Sequence, residues 1–225
     1  MMSSTEPDDR QVGGNLHQTQ PVRRAGRPPG TAQAAVILLH GRGADAADIL
    51  GLATELAHPD VAYLAPEAAN HTWYPYSFLA PLEHNEPWLS SGLQRVEEVV
   101  QRLAAEGVAA ERVMLLGFSQ GACLALEAVA RRPRRFGAVV GLTGGLIGPP
   151  GTPRPTTGDL AGTPVYLGAG DPDPHVPWTR VEETAEVLRR LGAEVTVERF
   201  PGFPHAIHPR QLAAARRLLD GLTAG

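Results

Sequence analysis

The sequence predicts an α/β fold: a mostly parallel, twisted sheet with helices on both faces. Three observations carry this. Short continuous apolar runs recur from residue 34 onward, helical patterns with a single apolar face lie between them, and Gly or Pro closes several of the runs. A strand buried on both faces reads as an unbroken apolar run, whereas a half-exposed strand alternates. Strands alternating with amphipathic helices imply a parallel sheet covered on both sides.

Residues 1–33 are polar and contain "AGRPPG". The first dozen are expected to be disordered, with a short edge strand near Leu16–Gln20. The core begins at "AAVILLHG", Ala34–Gly41, the first buried strand. Further runs follow at Val61–Pro66, Val113–Gly117, Ala138–Leu142, Pro164–Gly170 and Glu194–Phe200. Between them, Leu93, Val96, Val99, Val100 and Leu103 fall on one helical face, as do Val181, Ala185, Leu188 and Leu191, and later Leu212, Ala215, Leu218 and Leu219. A further helix is expected over Gln120–Arg131. Residues 34–225 are therefore expected to form one domain, with no separate lid.

Two irregular stretches interrupt the alternation. Glu67–Gly92 holds two of the three Trp residues, and Gly144–Thr163 is rich in Pro and Gly. Long loops in compact domains tend to carry function or to be disordered, and the aromatics favour the first reading for the earlier stretch.

Composition excludes some partners. All 20 basic residues are Arg, against 24 acidic residues, for a net charge of -4. No electrostatic footprint for nucleic acid or an anionic membrane surface follows from that balance. The single Cys123 rules out an internal disulfide and any multi-cysteine metal site, and it fits a reducing compartment. The polar start "MMSSTEPDDR" has no apolar h-region, and no run reaches the roughly 18 apolar residues of a membrane span. A cytoplasmic location is the expectation.

The chemistry is concentrated at "VMLLGFSQGAC". Gly117-Phe118-Ser119-Gln120-Gly121 fits G-x-S-x-G between an expected strand and an expected helix. A serine in so tight a turn needs neighbours without a Cβ, and its hydroxyl then projects from the C-terminal edge of the sheet toward a helix N-terminus. Serine alone is a poor nucleophile, so a base and an orienting acid are required. The chain order Ser, Asp, His calls for an acid after a later strand and a histidine after the last. Asp171 and Asp173 follow the run ending at Gly170, and His205 and His208 follow the run ending at Phe200. Turn geometry alone leaves either aspartate open.

The segments "LLHGRGAD", "LLGFSQGAC", "DPDPHVP" and "PGFPHAIHP" together resemble the α/β-hydrolase carboxylesterase/phospholipase family, which contains the acyl-protein thioesterases. The resemblance runs from about Val36 to the end of the chain. It implies Asp173 of Asp173-Pro174-His175-Val176-Pro177 as the acid and His205 as the base, completing a triad with Ser119. It also implies an oxyanion hole from the backbone N–H of Arg42, in the His40-Gly41-Arg42-Gly43 loop, and of Gln120. Arg42 stands where leucine is common in the thioesterase branch, so its guanidinium is expected either to favour a polar or anionic group near the pocket mouth or simply to face solvent.

The same resemblance puts the aromatic loop beside the active site. His71, Trp73, Tyr74, Tyr76 and Trp88 are expected either to line the substrate pocket or to pack beneath the loop. His175 and His208 read as loop or surface residues, His40 as an organiser of the oxyanion loop, and Cys123 as a small buried thiol. No metal or other cofactor is implied.

The expected activity is serine carboxylesterase, acting on small-molecule esters through an acyl-enzyme, with an open site favouring short to medium acyl chains. A lysophospholipase or acyl-protein thioesterase uses the same residues. A non-catalytic receptor on the same fold is the alternative from another class. Family members include dimers, so the resemblance allows a homodimer.

Overall fold

The computed structural model describes residues 15–154 and 158–224. The disorder expected of the first dozen residues lies outside that range. Among the described residues, seven strands build one sheet: β1 (Val22–Gly26), β2 (Ala34–Leu39), β3 (Val61–Pro66), β4 (Val113–Phe118), β5 (Ala138–Leu142), β6 (Pro164–Asp171) and β7 (Glu194–Pro201). Their order across the sheet is β1-β3-β2-β4-β5-β6-β7. β1 pairs antiparallel with β3, and every other pairing is parallel.

It is flanked by the helices α1 (Ala46–Leu50), α2 (Leu52–Leu56), α3 (Trp88–Ala105), α4 (Gln120–Arg131), α5 (Trp178–Arg190) and α6 (Pro209–Thr223). The apolar runs divide between two cores because successive strand side chains point to opposite faces. In β2, Ala35, Ile37 and Leu39 join the core that also takes in the apolar faces of α3, α4 and α5, while Ala34, Val36 and Leu38 join the one that takes in α1, α2 and α6. All six β2 residues are buried. Each large aliphatic side chain removed from water in this way stabilises the fold by about 1.5–3 kcal/mol before chain entropy is counted.

The edge strand lies further along the chain than Leu16–Gln20. That stretch makes a turn, closed by the Gln20 N–H on the His17 carbonyl, and His17 is fully buried beside Trp73 and Trp88. β1 instead half-buries Val22 against one core and Ala25 against the other, and leaves Arg23 and Arg24 exposed. An outer strand tolerates charged residues, so its apolar signal is faint.

The register fixes which loops meet. Leu39 pairs with Gly117, which sets the loop after β2 beside the loop after β4. Asp171 pairs with Pro201, which sets the loops after β6 and β7 side by side. All four leave the C-terminal edge of the parallel strands, where ligands bind in open α/β sheets.

Candidate active site

Ser119 joins β4 to α4 at φ 52°, ψ -116°. Positive φ at a residue with a Cβ is strained by about 1–3 kcal/mol and persists only where packing imposes it. The packing is visible at the two flanking glycines. A Cβ on Gly117 would lie 2.2 Å from the Gly121 carbonyl oxygen, and one on Gly121 would lie 2.1 Å from the Leu39 carbonyl oxygen. The turn is therefore as tight as the backbone allows, and α4 starts directly behind the serine.

Three side chains from three loops stand in line. Ser119 Oγ is 2.8 Å from His205 Nε2, and His205 Nδ1 is 2.8 Å from Asp173 Oδ2. A carboxylate only accepts, so His205 carries its proton on Nδ1 and leaves the Nε2 lone pair facing the serine hydroxyl. The other Asp173 oxygen accepts the N–H groups of His175 and Val176, each at 2.8 Å. The Asp173 side chain has no solvent exposure. Burial pushes its carboxyl upward, but the Val176 and His175 N–H groups and the His205 ring outweigh burial and hold it below the usual carboxylate value. Asp171, the other candidate acid, pairs with Arg199 instead.

The loop after β2 faces the start of α4. Among the described residues, neither the Arg42 nor the Gln120 backbone N–H donates to another group. Gln120 is the first residue of α4, where an amide has no intrahelical partner. Two free donors beside an aligned hydroxyl are what a developing oxyanion needs. His40, buried, donates from Nδ1 to the Gly41 carbonyl at 2.8 Å and accepts the Ala68 N–H on Nε2 at 3.1 Å. Burial lowers its pKa, so the ring works as a neutral brace.

A cleft of about 480 Å³ opens over Ser119, walled by Tyr76, Phe78, Phe118, His175 and Val176, with Cys123 beneath. Of the five candidates from the aromatic loop, Tyr76 lines it; His71, Trp73, Tyr74 and Trp88 do not. Trp73 and Tyr74 are buried in the main core. Trp73 donates Nε1–H to the His40 carbonyl at 3.0 Å, and the Tyr74 hydroxyl lies against the Cys123 thiol. Trp88 opens α3 with its ring edge against His17. His71 is exposed, and its backbone carbonyl accepts the Gly43 N–H at 2.8 Å. The reason is physical: a large aromatic with a polar tip is stable inside wherever that tip finds a partner, and each inner ring found one.

Residues further along supply the walls. Tyr76 and Phe78 sit past the inward-facing pair. Phe118 is the second residue of G-x-S-x-G, and His175 and Val176 follow the acid; adjacency to those motifs was the available signal. The His175 ring meets His205 edge-on at 4.8 Å between centroids, so it belongs to the cleft. His208 accepts the Arg210 N–H and caps α6. Cys123 is 2% exposed, and burial pushes its thiol up to about 11.

A serine at a left-handed strand-to-helix turn, aligned with a histidine and an aspartate from later strand ends, defines the chain as an α/β-hydrolase. Within that class the chain belongs to the phospholipase/carboxylesterase family, whose sequence profile matches residues 24–222. The crystal structure of a phospholipase/carboxylesterase from Dyadobacter fermentans is 41% identical, covers 89% of this chain and 96% of its own, and superposes with a TM-score of 0.84. The Bacillus cereus carboxylesterase, 20% identical over 91% and 95% of the two chains, shares the fold with a TM-score of 0.71. Acyl-protein thioesterase 1 of Gibberella zeae is 32% identical over 117 residues, a match spanning about half of each chain, 51% and 49%.

Proposed function

We propose that the protein is a serine hydrolase of carboxylic esters that works through an acyl-enzyme. The observation that carries this reading is the continuous relay from Ser119 through His205 to Asp173, with 2.8 Å at each step. Ser119 Oγ attacks the ester carbonyl while His205 Nε2 takes its proton, and Asp173 holds the ring in the required tautomer and stabilises the imidazolium. The Arg42 and Gln120 N–H groups receive the negative charge on the carbonyl oxygen. His205 then returns the proton to the departing alcohol. Water deacylates Ser119 by the same path.

The substrate reading is a short to medium acyl ester. A cleft of about 480 Å³, bounded by the buried Phe78 and Val176, supports it. An acyl thioester is the second reading, supported by the acyl-protein thioesterase relatives. Turnover of a nitrophenyl ester series from acetyl to palmitoyl, beside palmitoyl and octanoyl thioesters, separates the two.

The mechanism is tested by intact-mass analysis after treatment with a fluorophosphonate. One adduct on Ser119 is expected. It should be absent in Ser119→Ala and slowed by several powers of ten in His205→Ala and Asp173→Asn. An unlabelled wild-type Ser119, or equal labelling in all three relay variants, would overturn the reading.

A further inference from the structure

The two residues assigned to the oxyanion hole share a second property. Each also holds, through its side chain, the segment Thr72–Tyr76. Gln120 accepts the Trp73 N–H on Oε1 at 2.9 Å and donates from Nε2 to the Tyr74 carbonyl at 2.8 Å. Arg42 donates from Nη1 to the Pro75 carbonyl at 2.8 Å and from Nη2 to the Tyr76 carbonyl at 2.7 Å. Nη1 also reaches Thr72 Oγ1 at 3.2 Å, and the guanidinium lies 5.8 Å from the Tyr74 ring centroid. Both terminal nitrogens of Arg42 are thus committed to protein oxygens, although the side chain is exposed.

This arrangement answers what an arginine does at the mouth of the site. A guanidinium fork can hold two adjacent carbonyls at fixed spacing, which a single ammonium cannot. The held segment has no strand or helix of its own and continues into Tyr76, Ser77 and Phe78, which wall the cleft. Further along, the Tyr76 N–H is held by Asn85 and the Phe78 carbonyl by the Gly148 N–H. Between the anchors at Gln120 and Asn85, Arg42 holds the Pro75 and Tyr76 carbonyls.

We infer that Arg42 is a positioning residue for acyl selectivity. Its side chain fixes the Pro75–Phe78 wall relative to its own backbone N–H, so that wall and oxyanion donor form one unit. The guanidinium is accordingly not a receptor for an anionic substrate group. This inference rests on the ester-hydrolase reading and extends it to the acyl side of the substrate.

The test compares wild type, Arg42→Ala and Arg42→Lys on nitrophenyl acetate, butyrate and octanoate, and on a nitrophenyl monoester bearing a terminal carboxylate. The backbone donor survives both substitutions. Because Arg42 also carries an oxyanion donor, the readout is the ratio of octanoate to acetate kcat/KM within each protein, in which a change common to both esters cancels. That ratio should fall about 10-fold in Arg42→Ala, with Arg42→Lys between it and wild type, because about one methylene of apolar wall contact discriminates by that order. Amide hydrogen exchange over residues 72–78 should accelerate in Arg42→Ala while the α3 and α4 amides stay protected.

Equal losses on all neutral esters would overturn the selectivity role. A loss confined to the carboxylate-bearing ester would show a receptor and overturn it too. A wild type that turns over no ester would sink the ester-hydrolase reading and the selectivity with it, while the exchange measurement would still decide whether Arg42 holds the segment.

Discussion

Replacing Gly121 by alanine tests whether the tight crossing of α4 over β2 is what aligns the site. A Cβ there would stand 2.1 Å from the Leu39 carbonyl oxygen, 2.5 Å from its carbon and 2.6 Å from the His40 carbonyl oxygen, whereas ordinary contact begins at 3.4 Å. All three atoms are backbone, so no side chain can swing away. The start of α4 and the end of β2 must separate by about 1 Å, a displacement that costs on the order of 100-fold in rate when it falls on reacting groups. It falls on them here: Ser119 and Gln120 travel with α4, while Arg42 stays with the loop after β2. The expected result is a fluorophosphonate labelling constant about 100-fold below wild type, with stability reduced by about 1–3 kcal/mol through overpacking. The control is Gly221→Ala in α6, where a Cβ meets nothing within 4 Å and alanine favours the helix. Stopped-flow labelling and urea titration of both variants provide the comparison. Labelling of Gly121→Ala within about 3-fold of wild type would refute the claim that this contact sets the geometry.

Two further outcomes are expected. Glu127, wholly buried, accepts the Ile147 N–H at 2.9 Å and pairs with Arg131 and Arg154, each at 2.7 Å. Glu127→Ala leaves Arg154 facing an empty site and should cost about 3–5 kcal/mol in urea unfolding, partly recovered in Glu127→Ala/Arg154→Ala; a loss under about 1 kcal/mol would contradict the role of this pair in holding the Gly144–Arg154 loop. Acid should weaken the fold in a defined window. Burial lowers the pKa of His17 and His40, so below the ordinary histidine value of 6.5 the unfolded chain binds protons that the folded chain refuses. Melting temperature should therefore fall as pH drops from 7 toward 5, with a shallower slope in His17→Gln; equal slopes in the two proteins would argue against His17 as a source.

The legible part of the sequence was the part written in backbone constraints. Gly117 and Gly121 are glycines because nothing larger fits, so their spacing around Ser119 announces the turn. Buried parallel strands must be apolar on both faces, so Val61–Pro66 and Ala138–Leu142 were readable with their ends correct. Side-chain direction in an irregular loop carries no such period. Nothing in "NHTWYPYSF" says that Trp73 and Tyr74 turn inward and Tyr76 outward, because that choice is made by Gln120, Arg42 and His40 from distant parts of the chain. The outer strand was misplaced for a related reason: Val22–Gly26 is defined by its pairing with β3, and a strand with one neighbour needs little apolar signature of its own.

The position of His205 has a consequence for how the molecule fails. It leaves the loop after β7, the outermost strand, which is joined to the sheet by β6 alone. Its partner Ser119 sits in the middle of the sheet, on the strand flanked by β2 and β5. An excursion that frays the rim parts base from nucleophile without disturbing the interior, because rim and interior open with different free energies. Under the proposed mechanism, an opening confined to β7 would take away the proton acceptor while the interior of the sheet stays closed.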